Sequence, residues 1–175
     1  MCSARQHIQV TPWDIITDDH RDPVIHNIVS TSTILDRYNL GNVIPLQIIA
    51  DSLPCCKYDR SQFAAMTIRI SSPNCTALLF TTGKLVVTGA NNWYESLLSA
   101  MHVADLVSTV FFNQKYAANG CVMQNVVAHT ALDIPPGKLL DLQGMYTEMA
   151  LECTYQPSMF PGLSYRPIDL SLIHI

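Results

Sequence analysis

The chain has 175 residues, of which 49% are hydrophobic and 14% are charged, and its formal net charge at pH 7 is −4. This length and composition exclude a mostly disordered chain and are typical of one domain with a hydrophobic core. The acidic balance argues against a protein that wraps nucleic acid, because neutralising phosphates requires Lys and Arg side chains.

The first segment, residues 1–22, lacks the apolar stretch of a signal peptide, and we expect a mobile tail there. No apolar run is long enough to span a bilayer, so no membrane partner is expected. None of the six Cys residues lies in a C-x-x-C motif, which predicts reduced, mostly buried thiols. The six His residues show no H-x-x-x-H spacing, so neither a metal site nor another cofactor is expected.

Five elements are predicted in residues 23–120 from runs of apolar and β-branched residues and from helical spacing. In chain order they are a strand at Ile25–Thr33, a short helix at Leu46–Ser52, a strand at Phe63–Ile70, a hairpin at residues 75–89 and a long helix at Asn92–Phe112. The apolar spacing that supports the long helix runs from Tyr94 through Leu98 and Met101 to Phe111. Asn91 or Asn92 is its expected cap, and Gly120 is expected to break the chain after it.

The chain repeats itself at a spacing of 97 or 98 residues. Four pairs of identical residues share this spacing: Tyr58 and Tyr155, Phe63 and Phe160, Arg69 and Arg166, and Asn27 and Asn125. We interpret the chain as two copies of one unit, with the second, partial copy at residues 121–169. The elements predicted for it are a strand at Val122–Thr130, a helix at Lys138–Glu148 and the start of a strand at Phe160–Ile168.

The second copy stops before the equivalent of the hairpin and the long helix, so we expect a chain that is truncated at its C-terminus. Its last six residues, LSLIHI, match one reading frame of a widely used sequencing adaptor, and we interpret residues 170–175 as a non-native tail. An incomplete second copy would expose a strand edge, and self-association is therefore expected.

The predicted hairpin is apolar on both of its faces, whereas a hairpin at a sheet surface usually has one wet face. We expect helices to cover the face that carries Leu79, Leu85 and Val87. The other face is then an exposed apolar patch, which marks a binding surface. The members predicted for this surface are Asn27, Val29, Phe63, Leu78, Phe80, Val86 and Thr88.

These residue types fit the minor groove of A·T-rich double-stranded DNA. The floor of that groove presents only hydrogen-bond acceptors, to which Asn donates, and without the guanine amino group it admits Val and Thr. Phe side chains wedge between base pairs and kink the duplex. At the rim, Arg69, Lys84 and Arg166 are candidates for phosphate contacts.

Five segments of the chain resemble the TATA-box-binding protein family: HNIVSTST, FAAMTIRI, TALLFTTGKLVVTGA, MQNVVA and MFPGLSYR. The resemblance covers about residues 23–168 and implies an α+β fold. In this fold, a saddle of two pseudo-symmetric repeats, a curved antiparallel sheet carries helices on its convex face, and here the second repeat would be incomplete. The implied function is a general transcription initiation factor of the nucleus, without enzyme activity, that binds and bends TATA-box DNA.

The resemblance also assigns roles by position. The implied contacts with the groove floor are Asn27, Val29, Leu78, Val86, Thr88, Asn125 and Val127. The implied wedges are Phe63 and Phe80 in the first repeat, and Phe160 with Leu163 beside it in the second. Backbone contacts are implied for Arg69, Lys84 and Arg166.

The chain departs from the family pattern where partners dock. Family members have a long helix rich in Lys and Arg that docks transcription factor IIA, whereas Asn91–Phe112 contains neither residue. They have acidic residues before the second-repeat Phe that dock transcription factor IIB, whereas YQPSMF contains none. Gln62 stands where they have a basic residue. We therefore expect altered contacts with both factors and with polymerase-associated factors.

Two other functions remain open at this point. A degenerate paralogue would act as a protein-interaction module or competitor without bending DNA. A curved sheet could also enclose a small ligand or a catalytic site, although the sequence shows no nucleophile–base pair and no phosphate loop. Without the repeat, Phe63 and Phe80 would be interpreted as ordinary core aromatics.

Overall fold

The computed structural model describes residues 23–36, 43–111, 114–131, 134 and 137–166. The tail predicted at residues 1–22 and the non-native end predicted at residues 170–175 lie outside the described residues. The chain divides after Thr130 into two compact units.

Within the described residues, the unit that ends at Thr130 contains six strands and two helices. They are β1 (Val24–Asp36), α1 (Leu46–Ser52), β2 (Cys56–Lys57), β3 (Ala65–Ser71), β4 (Asn74–Phe80), β5 (Lys84–Ala90), α2 (Trp93–Val110) and β6 (Tyr116–His129). The strands form one antiparallel sheet in the order β2-β3-β4-β5-β1-β6. An antiparallel sheet with helices confirms the predicted α+β class.

The hydrophobic core lies on one face of this sheet, between the strands and the two helices. Ile28 of β1, Leu79 of β4 and Leu85 of β5 are at most 1% exposed and belong to one cluster with Ile49 of α1 and Val103 of α2. Alternate residues of β1, β4 and β5 are buried on this side, as the pleat requires. The predicted helix-covered side of the hairpin is confirmed.

The hairpin turn between β4 and β5 depends on a glycine. Gly83 has a φ of +84°, and a Cβ built on it would lie 2.4 Å from the carbonyl oxygen of Ile34. Its own carbonyl oxygen accepts a hydrogen bond from Ile34 N (2.7 Å). A side chain at this position would strain the backbone and clash with the carbonyl group of Ile34. The close approach of β1 to the hairpin turn therefore requires Gly.

The long helix α2 begins within one residue of its predicted start, and two residues of the predicted apolar spacing, Ala104 and Val107, are buried on it. Asn92 is the N-cap, because its Oδ1 accepts a hydrogen bond from Glu95 N (2.9 Å), while Glu95 Oε2 accepts one from Asn91 N (2.8 Å). The first bond caps the helix, and the second holds the residue that precedes the N-cap. The residues buried on α2 are Ser96, Ser99, Ala100, Val103, Ala104 and Val107. Three apolar residues that supported the helix prediction are exposed, namely Tyr94, Leu98 and Met101.

Two predicted boundaries of this unit are wrong. The chain is not broken at Gly120, because β6 runs through this residue, which adopts a φ of +63°. The third strand begins at Ala65, so Phe63 lies in the turn before it. The turn is stabilised by hydrogen bonds from Gln62 N and Phe63 N to the carbonyl oxygen of Asp59 (3.1 and 2.9 Å).

The second unit contains α3 (Leu142–Glu148), β7 (Cys153–Thr154) and β8 (Ser164–Tyr165) among its described residues. The predicted helix at Lys138–Glu148 thus begins later than expected. The strand predicted at Phe160–Ile168 is observed only at Ser164–Tyr165, and residues 167–168 lie outside the described residues.

The strand pairing of the second unit repeats that of the first. Cys56 pairs with Ile68, and Cys153 pairs with Tyr165, so both partners shift by 97 residues. The flanking backbone bond shifts likewise, from Arg69 N and Cys55 O (3.1 Å) to Arg166 N and Glu152 O (2.7 Å). The spacing read from the sequence therefore recurs in the backbone hydrogen bonds.

The five Cys residues within the described part of the chain are free thiols, and Cys56, Cys75 and Cys153 are buried. Burial, the neighbouring charge of Cys55 and a hydrogen bond with it raise the pKa of the Cys56 thiol to about 12. No helix in the described ranges is long and apolar enough to cross a membrane. No cluster of three or more His, Cys, Asp or Glu side chains there is placed to hold a metal ion.

Candidate nucleic-acid interface

The sheet face opposite α1 and α2, here called the open face, has no helix over it within the described residues of this unit. One row of Cα partners crosses five strands on this face: Thr67, Leu78, Val86, Thr31 and Val122. The first four are half-buried and Val122 is 53% exposed. Apolar and hydroxyl side chains thus form an accessible strip across the sheet.

The centre of the open face is built by β1 and β6. Asn27 pairs with Val127, and Val29 pairs with Asn125. Asn27 and Asn125 are equivalent in the repeat, as are Val29 and Val127, so a local two-fold axis between the strands exchanges the two pairs. The structure therefore brings these four predicted site residues together in a symmetric arrangement.

The side-chain amide of Asn27 is held by the adjacent strand. Its Oδ1 accepts hydrogen bonds from Gly89 N (2.7 Å) and Thr88 Oγ1 (3.2 Å). These contacts engage the acceptor end of the amide, which leaves its NH₂ group to donate. A donor is the group that can bind the acceptors on the floor of an A·T minor groove.

Two Phe side chains lie together at one side of this surface. The rings of Phe63 and Phe80 meet edge to face, with centroids 6.3 Å apart and planes at 61°. Phe80 ends β4 and is half-buried, whereas Phe63 is 50% exposed. The predicted pair is thus in contact, and its outer ring is accessible.

The turn that carries Phe63 has a side-chain anchor. Asp59 Oδ1 accepts hydrogen bonds from Ser61 Oγ (2.6 Å) and Ser61 N (3.0 Å). The bonds from the Ser61 side chain and backbone lower the pKa of the Asp59 carboxyl. These hydrogen bonds order the turn that precedes Phe63.

The second unit holds Phe160 in a similar turn. The carbonyl oxygen of Gln156 accepts from Met159 N and Phe160 N (both 2.9 Å). Phe160 is 62% exposed, and its ring lies over Gly162, where a Cβ would approach Phe160 Cε1 to 2.6 Å. Leu163 is half-buried and Arg166 is exposed in the same unit.

Two of the three predicted phosphate-binding side chains belong to the open face by strand alternation. Arg69 is exposed on β3 and has Thr76 as its Cα partner on β4. Lys84 is exposed at the first position of β5, in phase with Val86. Both are long cationic side chains that can extend from the sheet to a bound polyanion.

Sequence reasoning missed two side-chain contacts between β1 and β6. Gln124 Nε2 donates to Thr31 Oγ1 (2.8 Å). Near the other end of the strand pair, His26 Nε2 contacts His129 Nδ1, and the rings are stacked with centroids 4.1 Å apart. The 98-residue spacing relates both contacts, because it carries His26 to Gln124 and Thr31 to His129.

Residues 22–110 match the family model described as "Transcription factor TFIID (or TATA-binding protein, TBP)". The chain is 35% identical over 151 residues to the TATA-box-binding protein of Artemia franciscana, covering 86% of this chain and 50% of that protein. The identity to the TATA-box-binding protein of Acetabularia peniculus is 31% over 151 residues, or 86% of this chain and 73% of that protein.

The solved structure of Methanococcus jannaschii TBP superimposes with a TM-score of 0.65 at 27% identity, over 84% of this chain and 77% of that chain. The chain spans half the length of the Artemia relative. The family match covers half of this chain, and the Acetabularia match covers most of both chains. These similarities show that the chain belongs to the TATA-box-binding protein family.

Proposed function

We propose that this chain is a general transcription initiation factor of the nucleus that binds TATA-box DNA through the minor groove and bends it. The observation that carries the proposal is the open face, with amide and apolar side chains around a local two-fold axis and a Phe pair beside them whose outer ring is exposed. The relatives are eukaryotic proteins named for TATA-box binding, which supports the choice of ligand.

We propose that the residues at the centre of the open face contact the floor of the DNA minor groove. Asn27 and Asn125 donate to the acceptors of A·T pairs, and Val29 and Val127 fill the space that a guanine amino group would occupy. Leu78, Val86 and Thr88 extend this contact along β4 and β5. Because the local axis relates the two halves of the centre, it can coincide with a dyad of the duplex.

The Phe pair is the proposed wedge. Insertion of Phe63 and Phe80 between base pairs costs a few kcal/mol of unstacking, about 2–4, which wider contact with bent DNA offsets. The edge-to-face contact orders the two rings before binding, so less side-chain entropy is lost on insertion. Phe160 and Leu163 are proposed as the equivalent wedge residues of the second unit.

Few cationic side chains are proposed for phosphate contacts. Arg69, Lys84 and Arg166 are proposed for this role, and with three contacts log K should fall against log salt concentration with a slope of about −2.7. The net charge of −4 supports weak binding to non-specific DNA. Specific contacts in the groove must then supply most of the affinity.

Partner contacts are proposed to differ from those expected for the family. α2 exposes Tyr94, Leu98 and Met101 and has no Lys or Arg, so a factor that docks on it would meet an apolar surface. This observation favours the second candidate function, a paralogue that acts through other proteins without bending DNA. We propose altered contacts with factors that resemble transcription factors IIA and IIB. We also propose self-association of the chain.

The test is the bend angle of a TATA duplex with dyes at its two ends, measured by energy transfer with the full chain. Phe80→Ala should reduce the bend more than Asn27→Ala, and both should reduce affinity. Leu98→Ala, exposed on α2, is the matched control and should change neither. If neither open-face variant alters the affinity or the bend, this face is not the DNA site, and the second candidate is favoured.

A further inference from the structure

Two free thiols lie side by side at the β2 edge of the sheet. Sγ of Cys55 and Sγ of Cys56 are 3.9 Å apart, close enough for a weak S–H···S hydrogen bond. Cys56 belongs to the core cluster and is 7% exposed, whereas Cys55 is half-buried at the margin of that cluster. An oxidant in solution therefore meets Cys55 first, and a second thiol is already in contact with it.

The internal repeat distinguishes the two cysteines. Cys153 of β7 is the equivalent of Cys56 and is buried in the same way. The equivalent of Cys55 is Glu152, whose carbonyl oxygen accepts the equivalent backbone hydrogen bond, from Arg166 N (2.7 Å). Because the backbone of this position is reproduced without a thiol, the fold itself does not require a second cysteine beside the buried one.

The peptide group between the two cysteines makes two backbone hydrogen bonds. Its carbonyl oxygen, Cys55 O, accepts from Arg69 N (3.1 Å), and its amide, Cys56 N, donates to Leu53 O (3.0 Å). The first bond adjoins the β2–β3 ladder, in which Cys56 has Ile68 as its Cα partner. One peptide group thus connects the turn after α1 with strand β3.

A disulfide between neighbouring residues would close a small ring that contains this peptide group. Disulfides usually join Cα atoms about 4.4–6.8 Å apart, whereas consecutive Cα atoms are about 3.8 Å apart across a trans peptide. Ring closure must therefore distort the peptide group and weaken its two hydrogen bonds. The same strain makes such a bond easy to reduce, so that closure is reversible.

We infer that Cys55 and Cys56 form a reversible redox site, at which peroxide produces a disulfide between them and loosens the contact of β2 with β3. In the first step, the Cys55 thiolate attacks one oxygen of hydrogen peroxide, which gives a sulfenic acid and releases hydroxide. In the second step, the Cys56 sulfur attacks the sulfenic sulfur, and its thiol proton leaves with the hydroxyl group as water. Overall, two thiols and one peroxide become one disulfide and two molecules of water.

The order of these steps follows from the surroundings of Cys56. Burial raises the pKa of its thiol to about 12, so this group stays protonated at neutral pH and reacts second. The neighbouring charge of Cys55 also contributes to this raised pKa. That charge is absent once Cys55 is a neutral sulfenic acid, so the first step makes the Cys56 thiol easier to deprotonate.

The consequence for DNA rests on the proposed function. Arg69 is a proposed phosphate contact, and the turn that carries Phe63 lies between β2 and β3. Loosening of this edge should lower the affinity for a TATA duplex about two- to fivefold, because ordered contacts must then form on binding. The redox site itself can be tested without DNA.

The first measurement identifies the bond. The full chain is treated with a small excess of hydrogen peroxide, its free thiols are alkylated, and its tryptic peptides are analysed by mass spectrometry. Residues 38–57 form one such peptide, which contains both cysteines and no other. It should be unalkylated and lighter by two hydrogen atoms, and dithiothreitol should restore both thiols. Cys121→Ser, at another half-buried thiol, is the matched control and should keep this result.

The second measurement follows the edge of the sheet. Hydrogen exchange of the Arg69 amide reports its bond to Cys55 O, and oxidation should accelerate it on the order of tenfold. Dithiothreitol should reverse the change, and peroxide should have no such effect on Cys55→Ser, which keeps the backbone but cannot form the disulfide. The Val87 amide, on β5 away from this edge, should exchange at the same rate in both states.

Three results separate the inference from the proposed function. Two alkylated thiols in the peptide after oxidation of Cys121, or a sulfinic acid at Cys55 in place of the disulfide, would overturn the redox site. A disulfide that leaves the exchange of the Arg69 amide unchanged would overturn it as well. If the wild type binds no TATA duplex in either state, the proposed function fails, while the peptide mass and the exchange rates still decide the redox site.

Discussion

The two faces of the sheet are formed by the same strands but differ in how deeply their side chains are buried. On the covered face, Leu79 and Val87 are at most 1% exposed and lie in the core with α1 and α2. On the open face, their neighbours Leu78 and Val86 are Cα partners and remain half-buried. Because adjacent residues have similar chemistry and opposite surroundings, the stability of the fold and the proposed ligand binding can be tested separately, one residue at a time.

The largest expected effect is on the covered face. Leu79→Ala leaves a cavity in a closely packed core and should lower the free energy of unfolding by about 2–5 kcal/mol. The neighbouring Leu78→Ala should lower it by less than about 1 kcal/mol, since its side chain is already partly hydrated. Urea denaturation of the full chain measures both. Equal losses for the two variants would contradict the assignment of the faces.

A polar pair on the covered face gives the next largest effect. Ser30 Oγ of β1 and Ser96 Oγ of α2 are hydrogen-bonded at 2.5 Å, and both residues are at most 1% exposed. Ser96→Ala leaves the Ser30 hydroxyl buried without this partner and should cost about 1–3 kcal/mol of unfolding free energy. The double variant with Ser30→Ala should recover part of the loss in the same urea titration. Additive losses would mean that the two hydroxyls are not coupled.

These small residues also show where the sequence is a poor guide to α2. Its apolar side chains at helical spacing predict the helix, and its polar residues at Asn91 and Asn92 predict the cap. They do not predict that Ser96, Ser99 and Ala100 would be buried. A helix that packs closely on a strand needs small side chains at the contact, and hydrophobicity does not detect that requirement.

The residues of the candidate site could be predicted where strand alternation or the internal repeat identifies them. Strand alternation separates Leu78 from Leu79, and the repeat makes Asn27 and Asn125 equivalent positions. The contact of His26 with His129 requires the register of β1 against β6, which contains several shifts. No local pattern fixes such a register, so this contact could be found only in three dimensions.

The polar contact of the open face is expected to affect binding more than stability. Thr88→Val removes the hydroxyl that donates to Asn27 Oδ1 but keeps the shape of the side chain. The free energy of unfolding should change by less than about 0.5 kcal/mol, because this site is half-buried. Affinity for a TATA duplex should fall about threefold as the Asn27 amide loses one of its two restraints. Thr76→Val, on the neighbouring β4, is the control. An equal loss of affinity in this variant would show that the effect does not depend on the contact with Asn27.

The smallest expected effect concerns the turn that supports Phe63. Hydrogen bonds from the Ser61 side chain and backbone lower the pKa of Asp59 below its ordinary value of 3.8. A carboxyl whose folded-state pKa is lowered stabilises the fold above its unfolded pKa, and this contribution disappears as the pH falls through the folded value. Thermal melting of the full chain should therefore show a small loss of Tm below about pH 4 that Asp59→Asn reduces.

Asp105→Asn, on the exposed side of α2, is the control for this titration and should leave the loss unchanged. Because Asp59 is fully exposed, its contribution to global stability must be small, and its main role is to order the turn before Phe63. DNA bending by Asp59→Ala, which removes the acceptor of both Ser61 bonds, should then decrease at neutral pH even where its Tm matches that of the wild type. A variant with unchanged bending would show that the contact with Phe80 alone is enough to position the Phe63 ring.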